Sequence, residues 1–168
     1  MIPEKLSIVA QESKNNRSYF KQIKKSSADE LMSDMLSRTA ENYTKNDKKG
    51  LLTGSSAVKA FSKNISVCDK SKLLPMYKDL NDADLRHRFC AGYICSYSEY
   101  TGRRGFDRCV ELLEQGGVHF DMLKRIIMRT GISKADRSRD SIIDKLAEIY
   151  ETENKIFEEL IKLKEIFS

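Results

Sequence analysis

Apolar residues recur at helical spacing along most of the chain, and no run alternates apolar and polar positions for long enough to indicate a strand. From residue 55 onward the apolar rows follow one another closely, separated by turn residues. They predict helices over 56–65, 70–79, 82–97, 104–115, 118–130 and 139–167. The expected fold class is therefore all-α: a compact antiparallel helical bundle with an N-terminal helix and a long C-terminal amphipathic helix.

A capping box marks the start of the N-terminal helix. The hydroxyl of Ser27 and the carboxylate of Glu30 are spaced to satisfy free amides at a helix start. One apolar stripe follows, formed by Leu31, Met32, Met35, Leu36, Ala40 and Tyr43. The turn residues after it predict a domain boundary around 46–55. The lysine-rich residues before the box are expected to form a loose helix through 18–23 or a flexible segment.

The segment from Phe106 to Gly131 predicts two short helices folded back on each other. Gly116 and Gly117 are expected to stop the first helix, because glycine tolerates the left-handed conformation at a helix C-terminus. Thr130 and Gly131 are expected to end the second helix in the same way.

Two features divide the region before this hairpin. Pro75 falls inside the helix predicted over 70–79, so that helix should be short, kinked or start later. Asn81 or Asp82 is the expected N-cap of the helix that follows.

The C-terminal segment repeats apolar residues with the 4-3 spacing of a coiled-coil seam. The repeat comprises Ile142, Leu146, Ile149, Ile156, Leu160, Leu163 and Phe167. Only Glu153 interrupts it, and a buried carboxylate is costly unless paired, so we expect the helix to leave its partner surface there. The stripe is widened by an adjoining row, Ile143, Tyr150 and Phe157. The helix is expected either to dock on the bundle or to mediate self-association.

Composition limits the class of protein. A length of 168 residues fits one domain, or one small domain with appended helices. Charged residues make up 33% of the chain, and no stretch approaches the ~20 apolar residues that span a bilayer. The first residues contain no apolar run of signal-peptide length, so we expect a cytoplasmic protein. The expected organisation is a basic segment with one amphipathic helix over 1–50, a helical bundle over 55–135 and an amphipathic helix over 139–168.

The cysteines and histidines form no pattern typical of catalysis or metal binding. The four cysteines form no CxxC pair, and the separation of Cys90 from Cys95 is unlike the common zinc spacings. We expect reduced thiols, mostly buried as small apolar groups. No motif ties His119 to a nucleophile, and no set of acid, base and nucleophile is visible. The expectation is a non-enzymatic protein without a metal or cofactor.

The central region carries an ordered set of apolar and glycine positions: Leu112, Leu113, Gly116, Phe120, Leu123, Ile126, Ile127, Thr130 and Gly131. This order of paired leucines, glycine break, aromatic residue and Thr-Gly end resembles the central helices of caspase-recruitment domains, in the death-fold superfamily. The stretch from Leu73 to Gly92 is similar to the preceding helices of the same family. The resemblance spans residues 55–135 and consists of apolar spacing, without a catalytic fingerprint.

The resemblance implies a cytoplasmic adaptor that binds similar domains through charged patches, in apoptotic or innate-immune signalling. In that family a basic patch on one subunit meets an acidic patch on the next, which builds head-to-tail assemblies. The expected basic patch is Arg86, Arg103, Arg104 and Arg108. The expected acidic patch is Asp82, Asp84, Glu111 and Glu114. The alternative is an ordinary lattice of surface salt bridges, each contributing ~0–1 kcal/mol.

A second class of function is a small basic helical protein of a virus, plasmid or bacterium, dimeric or not, that regulates or binds nucleic acid. The formal net charge of +5 permits it. The basic residues expected to contact nucleic acid are Lys21, Lys24, Lys25, Lys124, Arg125 and Arg129. Such binding would weaken steeply with salt. Tyr93, Tyr97 and Tyr100 either stack on bases or fill the core.

Overall fold

The computed structural model describes residues 11–14, 17–20, 27–44, 54–67, 69, 72–132 and 138–167. Within those ranges a two-stranded antiparallel hairpin precedes five helices. The strands are β1 (Gln11–Lys14) and β2 (Arg17–Phe20). The helices are α1 (Ala28–Thr44), α2 (Gly54–Val67), α3 (Leu73–Thr101), α4 (Asp107–Ile132) and α5 (Ser138–Ile166). The five helices pack against one another, which confirms the predicted all-α bundle.

The N-terminal helix starts as its sequence predicts. The amide of Ser27 donates to Oε2 of Glu30 at 2.9 Å, and the amide of Glu30 donates to Oγ of Ser27 at 3.2 Å. This reciprocal pair confirms the capping box. Upstream, β2 occupies residues 17–20, so the helix considered there is wrong for these positions. Its remaining residues lie outside the described part of the chain.

The double glycine does not end a helix. Helix α4 continues through Gly116 and Gly117 to Ile132, so the predicted hairpin of two short helices is wrong. A glycine in a helix interior costs only ~1 kcal/mol relative to alanine, and tertiary packing of a long helix outweighs that cost.

Helix α3 is also longer than predicted. It is continuous across Asn81 and Asp82, so neither residue caps a helix, and the predicted helices 70–79 and 82–97 are one. Pro75 lies in its first turn, where the missing amide would have had no partner in the helix. The helix ends at Gly102, which adopts a left-handed φ of 69° and donates its amide to the Ser98 carbonyl at 2.9 Å.

After this turn the chain reverses, so α3 and α4 lie antiparallel. The rings of Tyr97 and Phe106 meet edge to face near the turn, with centroids 5.6 Å apart. Farther along, Lys124 of α4 reaches Asp84 near the start of α3. Helix α5 then returns antiparallel to α4.

The seam of α5 is buried inside its own chain. Its apolar residues from Ile142 to Leu163 are at most 4% exposed. Docking on the bundle is therefore the confirmed alternative, and these residues are not available for a coiled coil with another copy. Glu153 is also buried, so the expectation that the helix leaves its partner surface there is wrong.

The core consists of two apolar clusters placed end to end. One joins α1, the second half of α3, the first half of α4 and the end of α5. The other joins α2, the start of α3, the second half of α4 and the start of α5. Along α5, Ile149 belongs to the second cluster and Ile156 to the first, so Glu153 lies where the two clusters meet.

Candidate functional site

A buried histidine–glutamate pair occupies this junction. His87 on α3 lies with Nε2 2.6 Å from Oε1 of Glu153 on α5. Its Nδ1 lies 2.7 Å from the carbonyl oxygen of Ala83, one helical turn earlier. Both ring nitrogens are thereby engaged, which fixes the orientation of the imidazole. The ring also faces Phe120 at a centroid distance of 5.2 Å.

Gly116 makes room for this pair. A methyl group added at Gly116 would lie 2.7 Å from Cδ2 of His87 and 3.2 Å from Cδ1 of Ile156. Any larger side chain would push α4 away from the imidazole and from α5. The glycine at this position therefore permits close helix approach, which the sequence pattern had assigned to helix termination.

The surroundings of the pair shift its proton equilibria. Burial alone would lower the pKa of His87, but the hydrogen bond and charge of Glu153, together with the Ala83 carbonyl, raise it above the usual value. Tyr43 of α1 also hydrogen-bonds Glu153, and burial followed by this carboxylate raises the pKa of the phenol. The pair thus joins α1, α3 and α5.

A second charged cluster lies beside the first, between α3 and α4. Oδ2 of Asp84 accepts from Nζ of Lys124 at 3.1 Å, and both side chains are buried. Oδ1 of Asp84 accepts from Nε of Arg88 at 2.7 Å. Burial raises the pKa of Asp84, but hydrogen bonds from Arg88 and Lys124 lower it below the usual value overall. Asp121 lies 3.4 Å from the Lys124 ammonium.

These two clusters stabilise one arrangement of the helices, and the thiols near them are inert. Burial raises the pKa of Cys90 to about 11 and of Cys109 to about 12, so both remain protonated near neutral pH. Within the described ranges, no three His, Cys, Asp or Glu side chains are grouped so that they could hold a metal ion. The polar centre links α1, α3, α4 and α5 through buried hydrogen bonds and ion pairs.

A different surface is exposed on the opposite side of α3. We call it the outer face of α3, and it consists of Leu85, Phe89, Gly92, Tyr93, Ser96 and Tyr100. Successive positions are three or four residues apart, except for the neighbours Gly92 and Tyr93, and all six lie on the side of α3 opposite His87. Phe89 is 75% exposed and Tyr100 is 63% exposed. Leu85 is 42% exposed and Tyr93 is 41% exposed, so these two side chains are partly covered by their own chain.

Charged residues border the outer face of α3. Arg86 and Arg88 flank its first half, and Glu99 flanks its second half. All four residues expected in a basic patch, Arg86, Arg103, Arg104 and Arg108, are exposed. Arg103 binds Asp29 of α1 at 2.6 Å.

The remaining predicted patch residues divide between surface and interior. Arg108 and Glu111 pair with each other on α4 at 2.6 Å, and Glu114 is exposed on the same helix. Asp82 is exposed on α3. Asp84 is only 6% exposed and is held by Lys124 and Arg88, so a partner cannot reach it in this fold.

Of the residues predicted to contact nucleic acid, the structure describes the three on α4, which divide between the interior and the surface. Lys124 is buried against Asp84, which removes it from the surface. Arg125 pairs with Asp121 at 2.8 Å, and Arg129 is exposed one turn farther along α4. Lys21, Lys24 and Lys25 lie outside the described residues.

Sequence reasoning missed the polar pair and the outer face for different reasons. His87 and Glu153 each interrupt an otherwise apolar helix face with a polar side chain. The pair could have been found in the sequence by matching these two interruptions. The tyrosines of α3 were treated as one set, but Tyr97 is buried against Asp29 while Tyr93 and Tyr100 are exposed. Placing Phe89 with the exposed tyrosines required knowing which side of α3 meets the core.

No helix among the described residues is long and apolar enough to cross a membrane. The chain matches no protein-family model, no curated protein and no solved structure.

Proposed function

We propose that this protein is a non-enzymatic interaction module that binds a helix of a similarly folded protein domain through the outer face of α3. The observation that carries the proposal is the exposure of Phe89 at the centre of an apolar row. The row lies on a helix whose opposite side already fills the core. Exposed apolar patches bordered by polar residues are typical of protein interaction sites.

The shape of the surface favours a helical partner. From Leu85 to Tyr100 the face is straight and about 22 Å long, at 1.5 Å per residue. Large side chains at Phe89 and Tyr93 alternate with small ones at Gly92 and Ser96, which forms ridges and gaps suited to the side chains of another helix. The charges on either side would select partner and orientation more than they would increase affinity.

The wider role is proposed from the resemblance of the apolar spacing to caspase-recruitment domains, although α4 does not break at Gly116 as that family's pattern implied. We place the protein in the cytoplasm as an adaptor, with apoptotic or innate-immune signalling as the expected setting. The charged residues proposed for this contact are those that border the outer face of α3, together with exposed Asp82 and Arg104. Asp84 is withdrawn from the acidic patch because it is buried.

The test compares two equally exposed apolar residues. Phe89→Glu places a charge at the centre of the outer face, while Ile132→Glu places one at the end of α4, where Ile132 is 73% exposed. Proximity labelling identifies proteins captured by the wild-type chain and by Ile132→Glu but lost with Phe89→Glu. Each is then purified and titrated against all three full-length chains. A purified partner whose affinity falls at least ~10-fold only with Phe89→Glu supports the proposal. If both variants lose partner binding equally, or both retain it, the proposal is contradicted.

Nucleic-acid binding remains the second candidate because one observation favours it. Phe89, Tyr93 and Tyr100 present exposed rings beside Arg86, an arrangement that also suits stacking on unpaired bases. Fluorescence anisotropy with a mixed-sequence RNA oligonucleotide separates the two functions. Binding that falls steeply with salt and disappears in Phe89→Glu would favour nucleic acid over a protein helix.

A further inference from the structure

We propose that the helix received by the outer face of α3 is α3 of a second copy of this chain, crossing antiparallel at Gly92 and Tyr93. This inference rests on the proposed function and names its partner. It requires no residue of the core, because every side chain involved is exposed.

Gly92 supplies the first argument. A Cβ at this position would meet no atom of the described chain within 4 Å. Nothing in the described part of the chain therefore requires glycine here, although glycine in the middle of a helix costs ~1 kcal/mol relative to alanine. Gly116, in contrast, is needed for contact with His87. A bare backbone on an exposed apolar face allows another helix to approach closely.

The pattern of large and small residues supplies the second argument. When Tyr93 of one copy lies over Gly92 of the other, antiparallel helices bring Phe89 over Ser96 and Leu85 beside Tyr100. The two contacts nearest the crossing point, Tyr93 over Gly92 and Phe89 over Ser96, each combine a large side chain with a small one. The two bulkier layers lie at the ends, where helices that cross at an angle diverge. The same pairs recur on both sides of the two-fold axis, as an isologous contact demands.

Charge supplies the third argument and decides the orientation. Arg88 and Glu99 lie on the same flank of the outer face, near opposite ends. Antiparallel packing brings Arg88 of each copy toward Glu99 of the other, and brings Asp82 to the level of Arg104. Parallel packing would instead bring Arg88 of one copy toward Arg86 of the other, because a two-fold axis parallel to the helices sets opposite flanks against each other, and two arginines repel.

The small size of the contact suits a weak, reversible dimer. A single helix face about 22 Å long buries less area than the ~1,200–2,000 Å² of stable interfaces. We therefore expect concentration-dependent dimerisation, with a Kd of roughly 10–100 μM.

Sedimentation equilibrium of the full-length chain, from about 5 μM to about 500 μM, tests the dimer. Phe89→Glu and Gly92→Leu should each raise the dimer Kd at least ~10-fold, and Ile132→Glu should leave it unchanged. Gly92→Leu is the decisive variant, because it adds apolar surface and improves helix propensity. A tighter dimer with Gly92→Leu would contradict close helix approach and overturn the proposal.

Disulfide mapping tests the register. Chains carrying Phe89→Cys are mixed with chains carrying Ser96→Cys at high concentration, oxidised and digested. A peptide linking residue 89 to residue 96 is expected, and no link between two copies of residue 96. A 96–96 link would indicate parallel packing and overturn the proposed orientation.

The two proposals can fail separately. A wild-type chain that stays monomeric at every concentration overturns the second copy as partner. If a purified protein nevertheless binds wild type and not Phe89→Glu, the interaction module itself stands. If Phe89→Glu changes neither self-association nor the affinity for any purified partner, both proposals fail.

Discussion

Gly116 and His87 meet so closely that the imidazole occupies the space where a side chain at residue 116 would begin. An added methyl group would lie 2.7 Å from Cδ2 of the ring. The ring cannot easily yield, because Glu153 and the Ala83 carbonyl hold both of its nitrogens. The double glycine of α4 therefore serves helix packing.

The first prediction follows from that distance. Gly116→Ala should lower the free energy of unfolding by ~1–3 kcal/mol, because the strain of overpacking exceeds the ~1 kcal/mol gained in helix propensity. Gly92→Ala is the matched control, since its new methyl meets nothing within 4 Å of the described chain. Gly92→Ala should raise the free energy of unfolding by up to ~1 kcal/mol, the gain in helix propensity. Urea denaturation of both variants, at a protein concentration below the Kd expected for the proposed dimer, measures the difference. Equal effects in the two variants would contradict the packing role of Gly116.

The same glycines show what sequence can and cannot predict. The capping box at Ser27 depends on local spacing and was predicted correctly. Local spacing also predicted the apolar seam of α5, but it left open whether the seam docks on the bundle or on another copy. Gly116 was assigned to a helix end, but glycine in a sequence can indicate either the end of a helix or the close packing of two helices. Which applies depends on His87, which lies almost thirty residues earlier in the chain. Only the folded structure brings the two together.

The candidate surface was hidden by a related ambiguity. Helix α3 carries apolar residues on two opposite sides, so periodicity alone does not say which row is buried. Ile94 and Phe89 are both apolar, but Ile94 is fully buried and Phe89 is 75% exposed. Helices α4 and α5 determine which row is buried, because they cover the side of α3 that carries His87.

The second prediction concerns the pairing of His87 with Glu153. Glu153→Leu should lower the free energy of unfolding by ~3–5 kcal/mol, because it leaves the buried imidazole without its carboxylate. The double variant His87→Leu with Glu153→Leu should recover part of that loss, since two apolar groups need no partner. Thermal and urea unfolding of the single and double variants complete a double-mutant cycle. Strictly additive effects would show that the two side chains are not coupled.

The third prediction is a stability maximum near pH 6.5, produced by two histidines. The raised pKa of His87 means that its stabilising contribution is complete below the usual histidine pKa of 6.5 and is lost as pH rises above it. His119 behaves oppositely, because burial and then the charge of Lys145 lower its pKa, so stability is lost as pH falls below 6.5. His87→Gln should flatten the alkaline side of the stability profile, and His119→Gln the acidic side. Urea unfolding between pH 5 and pH 8 measures both slopes, and an alkaline slope unchanged in His87→Gln would contradict the assignment.

The fourth prediction tests the charged cluster beneath the outer face of α3. Asp84→Asn should lower the free energy of unfolding by roughly 2–3 kcal/mol, because the buried Lys124 ammonium loses its nearest carboxylate. The loss should stay below that of a fully enclosed pair, because Asp121 still lies 3.4 Å from the ammonium. Asp82→Asn is the control, because Asp82 is an exposed aspartate on the same helix, and it should change the free energy of unfolding by less than ~0.5 kcal/mol.

The Asp84→Asn variant also separates an effect on folding from an effect on dimerisation. Asp84 is out of reach of a partner, so Asp84→Asn should weaken dimerisation no more than its loss of folded protein explains. A direct effect on the dimer Kd in fully folded Asp84→Asn would mean that the cluster positions Arg88 for its contact with Glu99 of the second copy.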